Sequence, residues 1–507
     1  MTIATQAGFD RQGNGGIMLT LDDLFHRSLS RRPDALALAD PPDKSRITGQ
    51  RPQRLSFAQA DRAISTLAAH FLDAGLPAGS VIGVQLPNTV EAILTVMAAF
   101  RAGLVAALLP QLWRHAELTD ALNRTRARAL VTTSRIDGVC HADLALRAAV
   151  ETFSIRHVCA FGEALPEGIA PLDDVLAGAP EPRQFPARDP RAAAIITFDV
   201  TAEGLRAIPR NQLQLSAGGL AIMMESQLRH GEPVLSTVMP SSFAGLCASL
   251  ATWLLGGGAM VLHHPMDLTL LLRQLADEAC ATLIAPAPLV LRLDEAGAFT
   301  AMRALRSVVA IWRTPEQVAS SRQWSAEQAL TDLSVFGEAG LLATCREDGA
   351  PAPVFPGPQG SPREPGSPAV GEVLITPNGT VGLRGPMAPT AAYIPARDKA
   401  DTSPAATAID YVDTGYAVRL DRRTAALCIT AAPAGLVSVG GYRFRSRDLD
   451  GWAQRLSQGA MLTALPDRIS GYRLAGRAID NARARTALAE LGLNPLMIEA
   501  FRDRVAS

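Results

Sequence analysis

Side chains that commonly do chemistry are sparse in this 507-residue chain and rarely cluster. Cys140, Cys159, Cys247, Cys280, Cys345 and Cys428 are scattered, with no Cys-x-x-Cys pair and no Cys/His cluster. Neither a disulfide framework nor a zinc site follows. His263 and His264 form the only close histidine pair. Adjacent residues on a strand face opposite ways, so this pair reads as structural. Only Lys44 and Lys399 are lysines, among 48 lysines and arginines. The arginine excess accompanies abundant alanine and reads as the codon bias of a GC-rich genome.

Hydrophobic residues make up 48% and charged residues 19% of the chain, which is globular composition. The length predicts two or three domains. Net charge is −1, which argues against nucleic acid or an anionic membrane as partner. Residues 1–16 have no apolar core, so no signal peptide is expected. The uncharged run 244–262 is interrupted by Gly256-Gly257-Gly258, which suits a buried helix, a turn and a strand better than a membrane span. These features predict a soluble, cytoplasmic protein.

Periodicity predicts helices over 18–33, 57–75 (capped by Ser56), 89–102 and 116–124. Apolar strands are expected at 36–39, 81–85, 105–109 and 129–131. A second round follows: strands 193–198, 235–239, 260–263 and 282–285, alternating with helices 213–229, 244–255 and 268–278. Such alternation indicates parallel βαβ units. Beyond a Pro/Gly-rich stretch at 349–368, strands at 372–375 and 381–384 suggest a small β subdomain. The tail from about 421 reads as a β pair followed by helices 446–456 and 484–491.

Several blocks carry a family resemblance. Within 54–118 the segments GLPAGSVIGVQLPN, FRAG and LLPQLWRHAEL stand out, followed by VMPSSFAGL (238–246), LLGGGAMVL (254–262), GTVGLRGP (379–386), DYVDTGY (410–416) and VGGYRFRSRDLD (439–450). The chain resembles the adenylate-forming superfamily of acyl- and aryl-CoA synthetases, nonribosomal adenylation domains and luciferases. SVFGEAGLLATCRED (334–348) is nearest to aryl-acid adenylating ligases. The resemblance implies an α/β fold. Residues 1–420 would form a large AMP-binding-like domain, with α/β subdomains 18–190 and 191–345 and a β subdomain 346–420. Residues 421–507 would form a small, truncated α+β domain.

The same resemblance implies a reaction. A carboxylate attacks the α-phosphate of ATP, giving an acyl-adenylate and pyrophosphate, and a thiol then takes the acyl group. Catalysis of this kind is positioning plus charge neutralisation. Four devices supply it in the family, and each is altered here. The phosphate loop, normally Ser/Thr/Gly-rich and ending in Gly-x-Pro-Lys-Gly, reads DVTAEGLRAIPRN (199–211). Thr197, Thr201 and Gly204 fit it, Asp199 and Glu203 add unwelcome negative charge, and Arg206 or Arg210 are the only stand-ins for the lysine. The Tyr-Gly-x-Thr-Glu segment reads Phe336-Gly337-Glu338-Ala339-Gly340, with Glu338 the candidate magnesium ligand. Just upstream, Trp312 is expected to fill the adenine pocket. At the ribose-binding aspartate stands Tyr416, with Asp413 as substitute. The polar opening of the C-terminal domain is replaced by Ala431-Ala432-Pro433-Ala434-Gly435, and no late catalytic lysine follows. Losing such a group slows the first half-reaction by ~10² or more. Arg443 is the polar C-terminal element that fits.

These changes favour a catalytically impaired or non-catalytic synthetase-like protein. It would bind an aryl or fatty acyl acid in a pocket of Ser242, Phe243, Gly245, Gly340 and Leu341, or act beside an active relative or as a homodimer. Two alternatives stay open. One is an active carboxylate–CoA ligase that uses ATP, AMP and Mg2+, with Glu338, Arg206 and Arg443 catalytic, Thr197, Thr201, Gly204, Arg210, Gly337, Asp413 and Tyr416 on the nucleotide, and CoA or a carrier protein as acceptor. The other is an interaction scaffold with no small ligand.

Overall fold

Strands buried on both faces need a continuous apolar run, and the chain supplies two sets of them. The first builds a seven-stranded sheet in the order Gly204–Asn211, Ala193–Thr201, Val105–Leu108, Val81–Val84, Ala129–Thr133, His157–Phe161 and Ala170–Pro171. It is parallel except at the first pair. The second builds an eight-stranded sheet, ordered Leu341–Cys345, Ala329–Val335, Ser307–Trp312, Thr282–Pro286, Val234–Ser236, Met260–Leu262, Leu36–Ala39 and Arg54–Ser56. Only its two edge strands run antiparallel. The computed structural model describes residues 18–178, 183–264, 267–360, 369–389, 410–467 and 471–502. The expectation for 1–16, Lys399 and part of the Pro/Gly-rich stretch lie outside them.

One core joins the two sheets. Val84, Leu108 and Ile195 from one sheet and Val234, Ile284 and Val309 from the other share it with the helices Val90–Ala102 and Gln212–Ser226. Every residue of Val90–Ala102 is buried, so its charged members need partners. Arg101 bonds Asp22 and Asp61, and Glu91 pairs with Lys44. Lys44 is fully buried and also bonds Asp40 at 2.7 Å, which makes it an internal counter-ion.

The uncharged run folds as short helical segments from Phe243 to Gly256, including a π turn at Cys247–Ala251. Gly257 then turns it in the left-handed region (φ 64°) into the strand Met260–Leu262. Among the described residues no helix is long and apolar enough to cross a membrane.

An antiparallel five-stranded sheet follows: Gly357–Gln359, Gly371–Ile375, Thr380–Arg384, Val412–Leu420 and Leu427–Ala431. The last described part has two hairpins, Leu436–Val439 with Tyr442–Arg445 and Met461–Asp467 with Gly471–Arg477. Helices Ser446–Leu456, Asn481–Glu490 and Pro495–Glu499 pack on them around a separate core of Leu449, Leu474, Leu488 and Phe501.

Candidate functional site

The expected phosphate loop is not a loop. The strand expected to end at Phe198 runs on to Thr201 and pairs with Gly204–Asn211 down to the last rung, Thr201 opposite Gly204. Only Ala202 and Glu203 are left as the turn. An anion cradle needs successive backbone N–H groups converging on one point. In an extended strand they point alternately to opposite edges, so this geometry offers no such nest. The Thr201 hydroxyl is held within the hairpin by the Glu203 carboxylate (2.8 Å) and the Gly204 carbonyl (3.1 Å).

Asp199 sits on this hairpin and receives the guanidinium of Arg443. The Arg443 Nη1 donates to both carboxylate oxygens at 3.0 and 3.2 Å, and its Nη2 donates to the Tyr416 hydroxyl at 2.8 Å. The Glu338 amide donates to the same carboxylate at 3.2 Å. Gly337 makes room for this arrangement. It lies in the left-handed region (φ 58°), and a β-carbon there would stand 2.3 Å from Arg443 Nη1. Burial opposes the charge, but Asp199 and Tyr416 outweigh it and hold the Arg443 guanidinium firmly protonated. Tyr416 is buried and meets Phe336 edge-on at 5.4 Å.

Glu338 is buried, and its Oε2 accepts from the Phe243 amide at 2.9 Å. Burial pushes its carboxyl up, opposed by the charge of Arg210 and the Thr197 hydroxyl. Arg210 is 1% exposed and donates to the carbonyls of Met387 (2.7 Å) and Glu338, with its guanidinium 3.6 Å from the Phe243 ring centroid. Burial lowers it to about 10. Arg206 lies opposite Asp199 in the ladder but is exposed. Neither arginine is therefore placed as the lysine of a phosphate loop would be: one is committed to backbone carbonyls, and the other faces solvent.

Three further expectations change. Trp312 does not fill a nucleotide pocket: it packs beside Phe299 and Trp324 and donates to Asp332 at 2.7 Å. Its neighbour Arg313 faces the site instead, donating to the Ser242 hydroxyl at 3.3 Å and packing on Gly441. Trp312 is the last residue of the strand Ser307–Trp312, and Arg313 lies in the bend that follows it. Asp413 is no ribose acceptor, because its carboxylate is occupied by the Thr380 hydroxyl, the Asn378 amide and the Gly415 N–H. Ser242 caps Phe243–Leu246, and Gly245 lies so close to the Met239 carbonyl that a β-carbon would stand 2.2 Å from it. Gly340 and Leu341 pack toward Leu383 and Met387. Ser242 and Phe243 thus face Glu338, Arg210 and Arg313, whereas Gly245, Gly340 and Leu341 serve packing.

Sequence reasoning missed the pairing of Asp199 with Arg443 and the entry of Arg313. The available signal was opposite charge: an aspartate in a phosphate loop and an arginine in the C-terminal motif that reaches the same site. The residues present do not fit magnesium–ATP. Glu338 is spent on an amide and Asp199 on Arg443, and no group of three His, Cys, Asp or Glu side chains gathers among the described residues.

Comparison with known proteins places the fold. A model of the AMP-binding enzyme family matches residues 25–337. A salicyl-AMP ligase / salicyl-S-ArCP synthetase of Mycobacterium tuberculosis is 27% identical over 192 residues, covering 38% of this chain and 33% of that protein. The chain thus matches about a third of the length of that relative. A 2-hydroxy-7-methoxy-5-methyl-1-naphthoate–CoA ligase of Streptomyces carzinostaticus is 25% identical over 484 residues, covering 87% of this chain and 80% of that one. The amide bond synthetase McbA from Marinactinospora thermotolerans superposes with a TM-score of 0.71 at 19% identity, covering 94% of each chain. Apo MbtA of Mycobacterium smegmatis gives a TM-score of 0.66 at 20% identity, covering 96% of this chain and 90% of that one. The chain belongs to the AMP-binding enzyme family.

Proposed function

We propose that this family member has left ATP chemistry and serves as a non-catalytic or strongly impaired acyl-CoA-synthetase-like protein. It binds an aromatic carboxylic acid beside Ser242 and Phe243, alone or next to an active relative in the cytoplasm. The observation that carries this reading is the bridge from Asp199 through Arg443 to Tyr416. It spans the positions where the family binds phosphate and ribose and satisfies them with the chain's own groups. Arg313, beside the Ser242 hydroxyl, supplies the positive charge that a carboxylate requires. The preference for an aromatic acid follows the named substrates of the relatives, salicyl and naphthoate.

The test is ATP–pyrophosphate exchange with a panel of aromatic and aliphatic acids, run beside thermal-shift measurements with the acids alone. Exchange at background with an acid-dependent shift is expected. Robust exchange with any acid overturns the proposal in favour of an AMP-forming acid–thiol ligase. That second reading draws on family membership and on Arg210 beside Glu338, and it requires Arg210 for turnover.

A further inference from the structure

The polar contacts of the hairpin Leu436–Arg445 reach out of its own core. Tyr442 is half-buried, and its hydroxyl accepts from the Leu112 amide at 3.2 Å. Gly441 packs under Arg313, where a β-carbon would stand 2.8 Å from Nε. Arg443 reaches Asp199 on one subdomain and Tyr416 on the β sheet. Arg445 lies 3.5 Å from where a β-carbon on Gly204 would stand. Gly441, Tyr442, Arg443 and Arg445 thus engage the large domain together, while Phe444 packs into the hairpin's own core, and at their centre is the ion pair.

We propose that Arg443 is a built-in occupant of the nucleotide site, and that it latches the C-terminal unit to the large domain in one arrangement. Asp199 is the internal anion standing in for a phosphate, and Arg443 is its counter-ion. Tyr416, at the position of the ribose-binding aspartate, accepts the second arm of the guanidinium. Gly337 is required because any side chain there occupies the space of the guanidinium. A unit held this way needs no nucleotide to close and does not alternate between two orientations. The latch goes beyond the proposed function: it concerns domain arrangement and holds or fails whether or not an acid binds.

The test is hydrogen-exchange mass spectrometry on the full chain, comparing wild type with D199N, R443Q, the double variant and Y416F. Charge-assisted hydrogen bonds of this kind correspond to about ten- to hundred-fold in an opening equilibrium. The latch predicts exchange faster by that factor in peptides spanning 436–445 for D199N and R443Q, with the double variant no faster than the singles. Y416F, which keeps the ring against Phe336, gives a smaller increase in the same peptides. The helices Phe57–Asp73 and Val90–Ala102 stay as protected as in wild type. Exchange in 436–445 within about two-fold of wild type in both charge variants overturns the latch, as do single effects that simply add. Where R443Q folds poorly, D199N and Y416F decide between the same outcomes.

Discussion

Replacing Lys44 with methionine isolates the role of one of the chain's two lysines. The Nζ bonds Asp40 at 2.7 Å and Glu91 closely, and all three side chains are buried. Methionine keeps the apolar stem but leaves two buried carboxylates facing each other. Breaking a buried pair in this way costs about 3–5 kcal/mol. The lower half of that range applies, because Asp40 keeps the amides of Val90 (2.8 Å) and Gln53 (2.9 Å) and Glu91 keeps the Gln53 side chain (3.2 Å). The loss depends on pH with a definite sign. Burial, then Glu91, push Asp40 up to about 6 from 3.8, so the folded state binds this proton more tightly than the unfolded chain. Its unfavourable contribution is fully present above the folded value and fades as pH falls toward the unfolded one. Without the charge of Lys44, which lowers it, Asp40 shifts higher still. The difference from wild type is therefore larger at about pH 7.5 than at about pH 5.5. Urea unfolding of both proteins at the two pH values measures it. A loss under about 1 kcal/mol, or one equal at both pH values, refutes the argument.

Arg210→Met strands the Met387 and Glu338 carbonyls and leaves the Glu338 carboxylate without its largest opposing charge, so a loss of about 3–5 kcal/mol is expected in thermal or denaturant unfolding. Exposed Arg206→Ala stays within about 0.5 kcal/mol in the same assay. Thiol titration of the native protein at mildly alkaline pH gives fast reaction at exposed Cys140 and slower reaction at half-buried Cys428. Buried Cys159, Cys247, Cys280 and Cys345 react only after denaturation, since burial pushes Cys159 up to about 11 and Cys280 up to about 12.

Elements with strong local signals were legible in the sequence. Ser56 caps Phe57–Asp73 through a reciprocal bond with Gln59, and the interrupted run 244–262 folds as the glycines indicate. The strands Ser307–Trp312, Ala329–Val335 and Leu341–Cys345 were not, because their partners are fixed by sheet order rather than by local pattern. Without the end of the strand Ser307–Trp312, the separation of buried Trp312 from Arg313 in the following bend could not be seen. The hairpin closed by Ala202 and Glu203 carries no Asn-Gly or Asp-Gly turn signal, so it read as a loop. Position-by-position comparison with the family located Glu338, Tyr416, Asp199 and Arg443 as altered or fitting sites. It could not pair the last two, which stand 244 residues apart and meet only through tertiary structure.

Calorimetric titration of the full chain with magnesium–ATP and with AMP tests the central claim most directly. The extended hairpin, the Asp199–Arg443 pair and Tyr416 predict no heat of binding for either nucleotide at millimolar concentration. Micromolar binding of either one would contradict the account.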